Sequence, residues 1–317
     1  MEHTAAGPVR LLTRSEVRAL LRWPELIEAA ERALVAIATG DLVAAESGQL
    51  RMPGASLHLK SGVLESQLLS VKANVRPDVG SSAGVVLAFD PVLFTLRAIL
   101  DSADITAMRT AAIAAVAARR LARPGEHTVA VMGTGPVGRQ SLAALSQVLP
   151  VSDVRLWSRD RENADEVAAT LPGSVSVYES AAGAAAGADI VLTATPSREP
   201  LLQATDLAPG ALVLAMGADS RGKRELGEGV LLDATVVADV LADALSVGEC
   251  AYLSAGAGRA ACMELGEVLA GRRDLHVTGS RIVFDSVGSA VVDAAVTGLV
   301  LALAERDEIG TLFRLDA

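Results

Sequence analysis

The run Gly133-Thr134-Gly135-Pro136-Val137-Gly138 spaces three glycines as G-x-G-x-x-G, between an apolar stretch at 128–132 and a segment of helical pattern. A glycine loop between a strand and a helix lets a pyrophosphate approach backbone N–H groups at the helix N-terminus. Gly133 would make the tight turn, Gly135 would admit the phosphates, and Gly138 would bring helix and strand close. Pro136 suits the first helical turn, where its missing N–H costs no hydrogen bond. Thr134, Val137 and Thr195, the last just past the apolar run 190–194, are grouped with the glycines as cofactor-binding residues. The sugar is read after the second strand, where NAD binding normally needs a carboxylate. Here the turn reads Leu156-Trp157-Ser158-Arg159-Asp160-Arg161. Ser158, Arg159 and Arg161 suit a 2′-phosphate, so NADP(H) is favoured over NAD(H). Asp160 keeps NAD(H) open, and the alternative for both arginines is solvation at a helix start.

Three charges interrupt apolar patterns. From Asp104, Ile105, Arg109, Ala112, Ile113 and Val116 fall at i, i+4, i+7, i+8 and i+11, one face of a helix. Arg109 then lies on the buried side, where a guanidinium needs an anion. Its fork matches a carboxylate or phosphate; the alternative is an internal ion pair with Asp101 or Asp104. Lys72 breaks the run 68–74. It is either an edge lysine reaching water or a desolvated amine fit for acid–base work. Asp219 follows the run 212–216, and ligands of parallel sheets bind beyond the carboxyl ends of strands. It either meets a nicotinamide end or caps the next turn.

The elements that position these residues are of two kinds. Ser15 caps a first short helix, and Pro24 opens a second that runs to Thr39 and stops at Gly40-Asp41. Extended runs follow at 56–59, 68–75, 84–89 and 96–100, with turns at Pro77-Asp78 and Asp90-Pro91. A helix over 104–122 ends at Pro124-Gly125. Beyond Thr128, strands at 128–132, 154–157, 175–178, 190–194, 212–216 and 236–239 alternate with helices at 136–148, 161–170 and 180–186. This grammar predicts an α/β protein with a Rossmann-type, doubly wound parallel sheet. A last helix over 287–306, apolar on one face, predicts a return to the first domain. The expected organisation is a discontinuous α+β substrate-binding and dimerisation domain, 1–122 completed by 287–317, and a dinucleotide domain at 123–286.

With 317 residues, 51% hydrophobic and 21% charged, the chain can fill two cores. A formal charge of −10, with no basic run longer than Arg119-Arg120 or Arg272-Arg273, argues against nucleic acid as partner. Residues 1–10 hold no apolar signal core, and no apolar run is long enough for a bilayer, so a cytoplasmic protein is expected. Cys250, Cys262 and four scattered histidines make no metal spacing. Only Lys60, Lys72 and Lys223 among 28 basic residues are lysine, which fits positions that need a compact, titratable ammonium.

Four segments in order resemble the ornithine cyclodeaminase/mu-crystallin family: Ile105-Thr106-Ala107-Met108-Arg109-Thr110-Ala111-Ala112, the 133–138 loop, residues 217–226, and Phe284-Asp285-Ser286-Val287-Gly288-Ser289-Ala290. The likeness covers most of the chain. It implies a two-domain subunit and a homodimer built on the first domain. By resemblance, Arg51, Lys72 and Arg109 clamp a substrate carboxylate, and Asp219 is the acid or base near the substrate nitrogen. Thr110, Lys223 and Ser286 match positions near the cofactor. Ser158-Arg159 is similar to the NADPH-binding turn of mu-crystallin. Two departures stand out: Val137 replaces a frequent glutamine, and His58, a candidate substrate contact, stands where cyclodeaminases tend to carry an acid.

The expected function is an NAD(P)-dependent oxidoreductase at the carbon–nitrogen bond of a small amino or imino acid, as a dehydrogenase or imine reductase. Asp219 or Lys72 would handle the proton. The alternative is a cyclodeaminase, a lyase releasing ammonia with a cyclic imino acid. A third reading is a non-catalytic NADPH-dependent binding protein.

Overall fold

Alternating burial along β4 (Leu68–Pro77) marks a sheet with two unlike faces, whereas β10 (Ile190–Thr193) and β11 (Leu212–Ala215) are buried throughout, as in a sheet covered on both sides. The computed structural model describes residues 7–40, 42–64, 68–77, 82–253, 261–277 and 281–315. Asp41 and Asp78, expected in turns, lie outside them. The chain forms two units, residues 1–109 with 289–317, and residues 110–288. The division falls inside α3 (Ala103–Leu121), between Arg109 and Thr110.

In the first unit, β1 (Val9–Leu12), β2 (Leu42–Met52), β3 (Ala55–Leu64), β4, β5 (Ala83–Phe89), β6 (Leu96–Asp101) and β15 (Thr311–Phe313) form one sheet in the order β15-β1-β6-β5-β4-β3-β2. β2 to β6 are an antiparallel meander, and β1 adds parallel to β6. β1, β2 and β15 were not foreseen. β15 is a fully exposed three-residue edge strand, and β2 carries Glu46, Ser47, Gly48 and Gln49. Neither announces a strand by itself; pairing makes them so. α1 (Arg14–Leu20) is capped by Thr13, not by Ser15. Thr13 Oγ1 accepts from the Glu16 N–H while the Glu16 carboxylate accepts from the Thr13 N–H, a reciprocal box that Ser15 cannot form. α2 (Trp23–Thr39) has Pro24 in its first turn and ends at Gly40, φ 80°.

Strand register separates two faces. One carries the rows Ser47, Lys60, Lys72, Val86 and Gln49, His58, Asn74, Gly84. The other carries Gly48, Leu59, Ala73, Val85 and Leu50, Leu57, Val75, Ala83. The last helix, expected over 287–306, begins three residues later as α10 (Ala290–Arg306), with Ser289 as its cap. It is buried on several sides rather than one, because α1, α2 and strands β2 to β5 all pack against it. Burial of Val291, Val292, Val296, Val300 and Leu301 contributes about 1.5–3 kcal/mol each.

In the second unit, β7 (His127–Met132), β8 (Val151–Trp157), β9 (Ser174–Val177), β10, β11, β12 (Ala234–Ala238), β13 (Met263–Glu264) and β14 (Arg281–Asp285) form a parallel sheet. Its order is β13-β12-β14-β11-β10-β7-β8-β9. Helices α4 (Pro136–Leu145), α5 (Arg161–Thr170), α6 (Ala181–Ala185), α7 (Glu228–Leu232), α8 (Leu241–Val247) and α9 (Leu265–Leu269) lie between the strands in the chain. From β7 the chain steps outward through β8 and β9, then returns to the other side of β7 as β10. The switch point, where a doubly wound sheet opens a crevice, is therefore between β7 and β10.

Candidate active site

The glycine loop leaves β7 at that switch point. Gly133 has φ 103°, which favours glycine, and a Cβ there would sit 2.6 Å from the Ala194 carbonyl oxygen past β10. A Cβ on Gly138 would collide with the Gly133 carbonyl. Around Gly135 nothing lies within 4 Å of such an atom, so the backbone is open where α4 begins. No side chain caps α4, and the buried Thr134 hydroxyl has no partner. Open N–H groups and an orphaned hydroxyl around bare backbone fit a pyrophosphate. Val137 is half-buried in the first turn.

Past β8, Asp160 caps α5 by accepting from the Asn163 N–H at 3.2 Å. Arg161 is paired with Asp165 and Glu179. Arg159 is exposed and Ser158 half-exposed at the strand end.

Three further loops leave the carboxyl ends of β10, β11 and β14, each tied by a carboxylate the sequence did not single out. Glu225 accepts from the Thr195 hydroxyl and N–H, both at 2.7 Å, from Thr193 at 2.7 Å and from the Gly217 N–H at 2.9 Å. Burial pushes its carboxyl pKa up, and the four donors oppose this. Glu249 accepts from the Glu225 N–H at 2.6 Å, and burial raises it to about 8. Asp239 holds the third loop, accepting from the Ser286 hydroxyl at 2.7 Å and the Gly288 N–H at 2.8 Å. Thr195 and Ser286 are thus fixed by buried acids. Asp219 caps no helix: its Oδ1 accepts from Lys223 Nζ at 2.6 Å, and α7 begins only after Gly227. Thr110 is buried in α3.

In the first unit, Lys72 is central and buried, not an edge residue. Arg109 pairs with neither Asp101 nor Asp104. Asp104 instead meets Arg14 at 3.1 Å, and the partner of both buried cations is Asp293 on α10. Asp293 Oδ2 lies 2.6 Å from Lys72 Nζ, and Oδ1 lies 2.8 Å from Arg109 Nε. Arg109 Nη1 is buried without a partner. Burial pulls the Lys72 ammonium down to about 7, with repulsion from Arg109 and Lys60 adding and Asp293 opposing. Burial alone would raise Asp293, yet Arg109, Lys72 and Lys60 hold it at about 2. Asn74, one register from Lys72, donates to Thr106 at 3.2 Å and accepts from Ser102 at 2.5 Å.

Arg51 and His58 share the face of Lys72 but stand apart from the ion cluster. Arg51 is exposed on β2, two strands and four residues from the row of Lys72. His58 Nε2 lies 2.9 Å from Ser56 Oγ and 3.2 Å from Gln49 Nε2. Sequence reasoning missed Asp293, although the argument used for Arg109 applies to it: a charge inside an apolar helical run. Glu225 and Asp239 carry no such signal, since their roles depend on loops distant in the chain. Among the described residues no group of His, Cys, Asp or Glu could hold a metal, and no helix is long and apolar enough to cross a membrane.

A parallel sheet with a glycine loop at its switch point defines a dinucleotide-binding protein of the Rossmann type. The chain belongs to the ornithine cyclodeaminase/mu-crystallin family, whose model matches residues 10–307. It is 36% identical to the ketimine reductase mu-crystallin of Mus musculus over 222 residues, 70% of each chain. It is also 36% identical to the L-lysine cyclodeaminase of Streptomyces rapamycinicus over 234 residues, 72% of this chain and 66% of that one. Among solved structures it is similar to an archaeal alanine dehydrogenase dimer with bound NAD, with TM-score 0.91, 26% identity, and coverage of 97% of this chain and 99% of that one.

Proposed function

We propose that the protein is a nicotinamide-dinucleotide-dependent oxidoreductase acting on the carbon–nitrogen bond of a small amino or imino acid, as a dehydrogenase or imine reductase. One observation carries the reading most: buried Arg109, with Nη1 unpartnered beside Lys72. A buried guanidinium with an open donor is suited to a carboxylate. Bound at the glycine loop, the dinucleotide would supply or accept a hydride at the substrate carbon. Lys72 and Arg109 bind and orient the carboxylate. Asp219, ion-paired with Lys223, exchanges the proton at nitrogen. In the reductive direction the C=N bond gains a hydride at carbon and a proton at nitrogen.

Charge favours this over the diamino-acid lyase. On the face that bears Lys72, the described residues of β2, β3 and β4 include Arg51, Lys60, Lys72 and Arg76 and no Asp or Glu. Among the described residues, Asp293 supplies the carboxylate in contact with Lys72 and Arg109, and it is already shared between them. A distal ammonium would meet cations there.

We favour NADP(H), because Asp160 is spent on capping and Arg159 is exposed. We also infer a homodimer through the sheet face of Leu50, Leu59, Val75 and Val85, exposed apolar side chains that share one face of neighbouring strands. A cytoplasmic location fits two free, buried cysteines.

The test is a cofactor-linked screen of 2-oxo acids with ammonia or methylamine, cyclic imines and diamino acids. Net oxidation of reduced cofactor with an oxo acid or imine is expected. Ammonia and a cyclic imino acid from a diamino acid, without net cofactor change, would make the protein a lyase instead.

A further inference from the structure

The loop that bears Asp219 and Lys223 is closed by a side chain at its own far end. Glu225 Oε2 accepts from the Gly217 N–H at 2.9 Å, and Oε1 accepts from the Thr195 N–H at 2.7 Å in the loop beyond β10. Each carboxylate oxygen thus holds the backbone of a different loop. The hydroxyls of Thr195 and Thr193 complete the set, on Oε1 and Oε2 respectively, both at 2.7 Å. Glu225 has no exposed surface. Its own backbone is pinned as well: Glu249 accepts from its N–H at 2.6 Å, and its carbonyl accepts from the Leu201 N–H at 2.7 Å.

The contact leaves no slack. A Cβ on Gly217 would lie 2.5 Å from both Glu225 Oε2 and the Thr195 carbonyl oxygen, so the carboxylate and the two loops meet at a glycine. From there the effect reaches Asp219. The Gly217 carbonyl accepts from the Asp219 N–H at 3.0 Å and from Lys223 Nζ at 3.3 Å, and Lys223 Nζ also donates to Asp219 Oδ1. Gly217, held at its N–H by Glu225, therefore holds at its carbonyl both members of the Asp219–Lys223 pair.

A buried carboxylate adds little net stability, because its desolvation offsets its hydrogen bonds, so its effect falls on geometry. A sugar read past β8 puts the adenosine half of a dinucleotide on that side of β7, and the other half extends over β10 and β11. We propose that Glu225 is a positioning residue, which fixes the two loops on the nicotinamide side of the crevice and, through Gly217, sets Asp219. The role toward Asp219 rests on the proposed reaction; the role toward the dinucleotide needs only the glycine loop.

The experiment compares the native protein with Glu225→Gln. However the amide turns, its NH2 group faces one of the two loop N–H groups, so one loop is released while the side chain keeps its size. Calorimetric titration should show the reduced dinucleotide bound about tenfold more weakly by the variant, the loss of about one charged hydrogen bond. ADP-ribose, with or without a 2′-phosphate, lacks nicotinamide and should bind both proteins equally. With the substrate from the screen, kcat should fall about a hundredfold, as for a reacting group displaced by about 1 Å. Equal weakening of dinucleotide and ADP-ribose would make Glu225 a general support of the fold and overturn the proposal, as would no change in either. An unchanged kcat would overturn the role toward Asp219. Should Glu225→Gln not fold, Thr193→Val removes one donor to Oε2 from outside both loops. The same selective pattern, smaller, is then expected, and unselective or absent weakening would again overturn the proposal. A native protein that binds the dinucleotide but turns over no amino or imino acid would contradict the proposed reaction, and the binding comparison would still decide Glu225.

Discussion

Asp293 and Lys72 form an ion pair with almost no exposed surface, 2.6 Å between Oδ2 and Nζ, and the same carboxylate reaches Arg109. Two cations share one anion, which leaves a buried excess of positive charge when Lys72 is protonated. That excess is what an incoming carboxylate would neutralise. Asp293→Asn should therefore destabilise the fold by about 3 kcal/mol, as expected when one partner of a buried pair is removed. In the folded fraction it should move the Lys72 titration below about 7. Denaturant melts and the pH profile of carboxylate-inhibitor binding read the two effects separately, and an unshifted profile would show that Asp293 does not govern Lys72.

Carboxylate binding should depend on pH through Lys72. Its pKa lies near 7 in the folded protein, and the bound anion prefers the ammonium. Affinity should be full below about pH 7 and fall up to tenfold per unit above it. Lys72→Met should weaken binding and flatten this slope. A slope that persists in the variant would assign the titration to another group.

Arg159 should decide between the two dinucleotides. A hydrogen bond to a charged group is worth about 1.5–3 kcal/mol, so Arg159→Leu should weaken NADPH by about tenfold or more and leave NADH unchanged. Calorimetric titration of both cofactors is the check. Equal affinities in the native protein would remove the 2′-phosphate reading.

Asp285 makes a stability prediction with a defined sign. Burial first, then nearby Asp239, raises its pKa to about 7, against hydrogen bonds from the Cys250 and Glu249 backbone. A raised carboxyl pKa means that the folded state binds more protons than the unfolded chain between about 4 and 7. This group's contribution is thus fully present below about 4 and is lost as pH rises through 7. Asp285→Asn keeps an acceptor for the Cys250 N–H and cannot ionise. It should match native stability near pH 4 and exceed it at pH 8, by on the order of 4 kcal/mol. A constant difference across that range in urea melts would contradict the assignment.

Six strands of the parallel sheet, β7 to β12, and the glycine loop were legible because they are local, whereas β13 and β14 were not foreseen. Apolar blocks at near-regular spacing mark buried strands, and Gly133, Gly135 and Gly138 carry their own backbone reasons. The helix bearing Arg109 was legible from its face. The partner of Arg109 was not, because Asp293 comes 184 residues later and only the return of α10 brings it back. The pairing of Arg161 with Glu179 was not legible, because the two are 18 residues apart in sequence. Strands β2 and β15 went unseen because their own residues are weak strand formers, and their partners determine them.

The most direct test uses reduced dinucleotide carrying deuterium at the hydride-donating ring carbon, incubated with the protein and the substrate found by the screen. One deuterium should appear on the carbon next to the carboxylate in the amine product. A product formed without the label, or a protein that binds neither reduced nor oxidised nicotinamide dinucleotide, would contradict hydride transfer at a carbon–nitrogen bond.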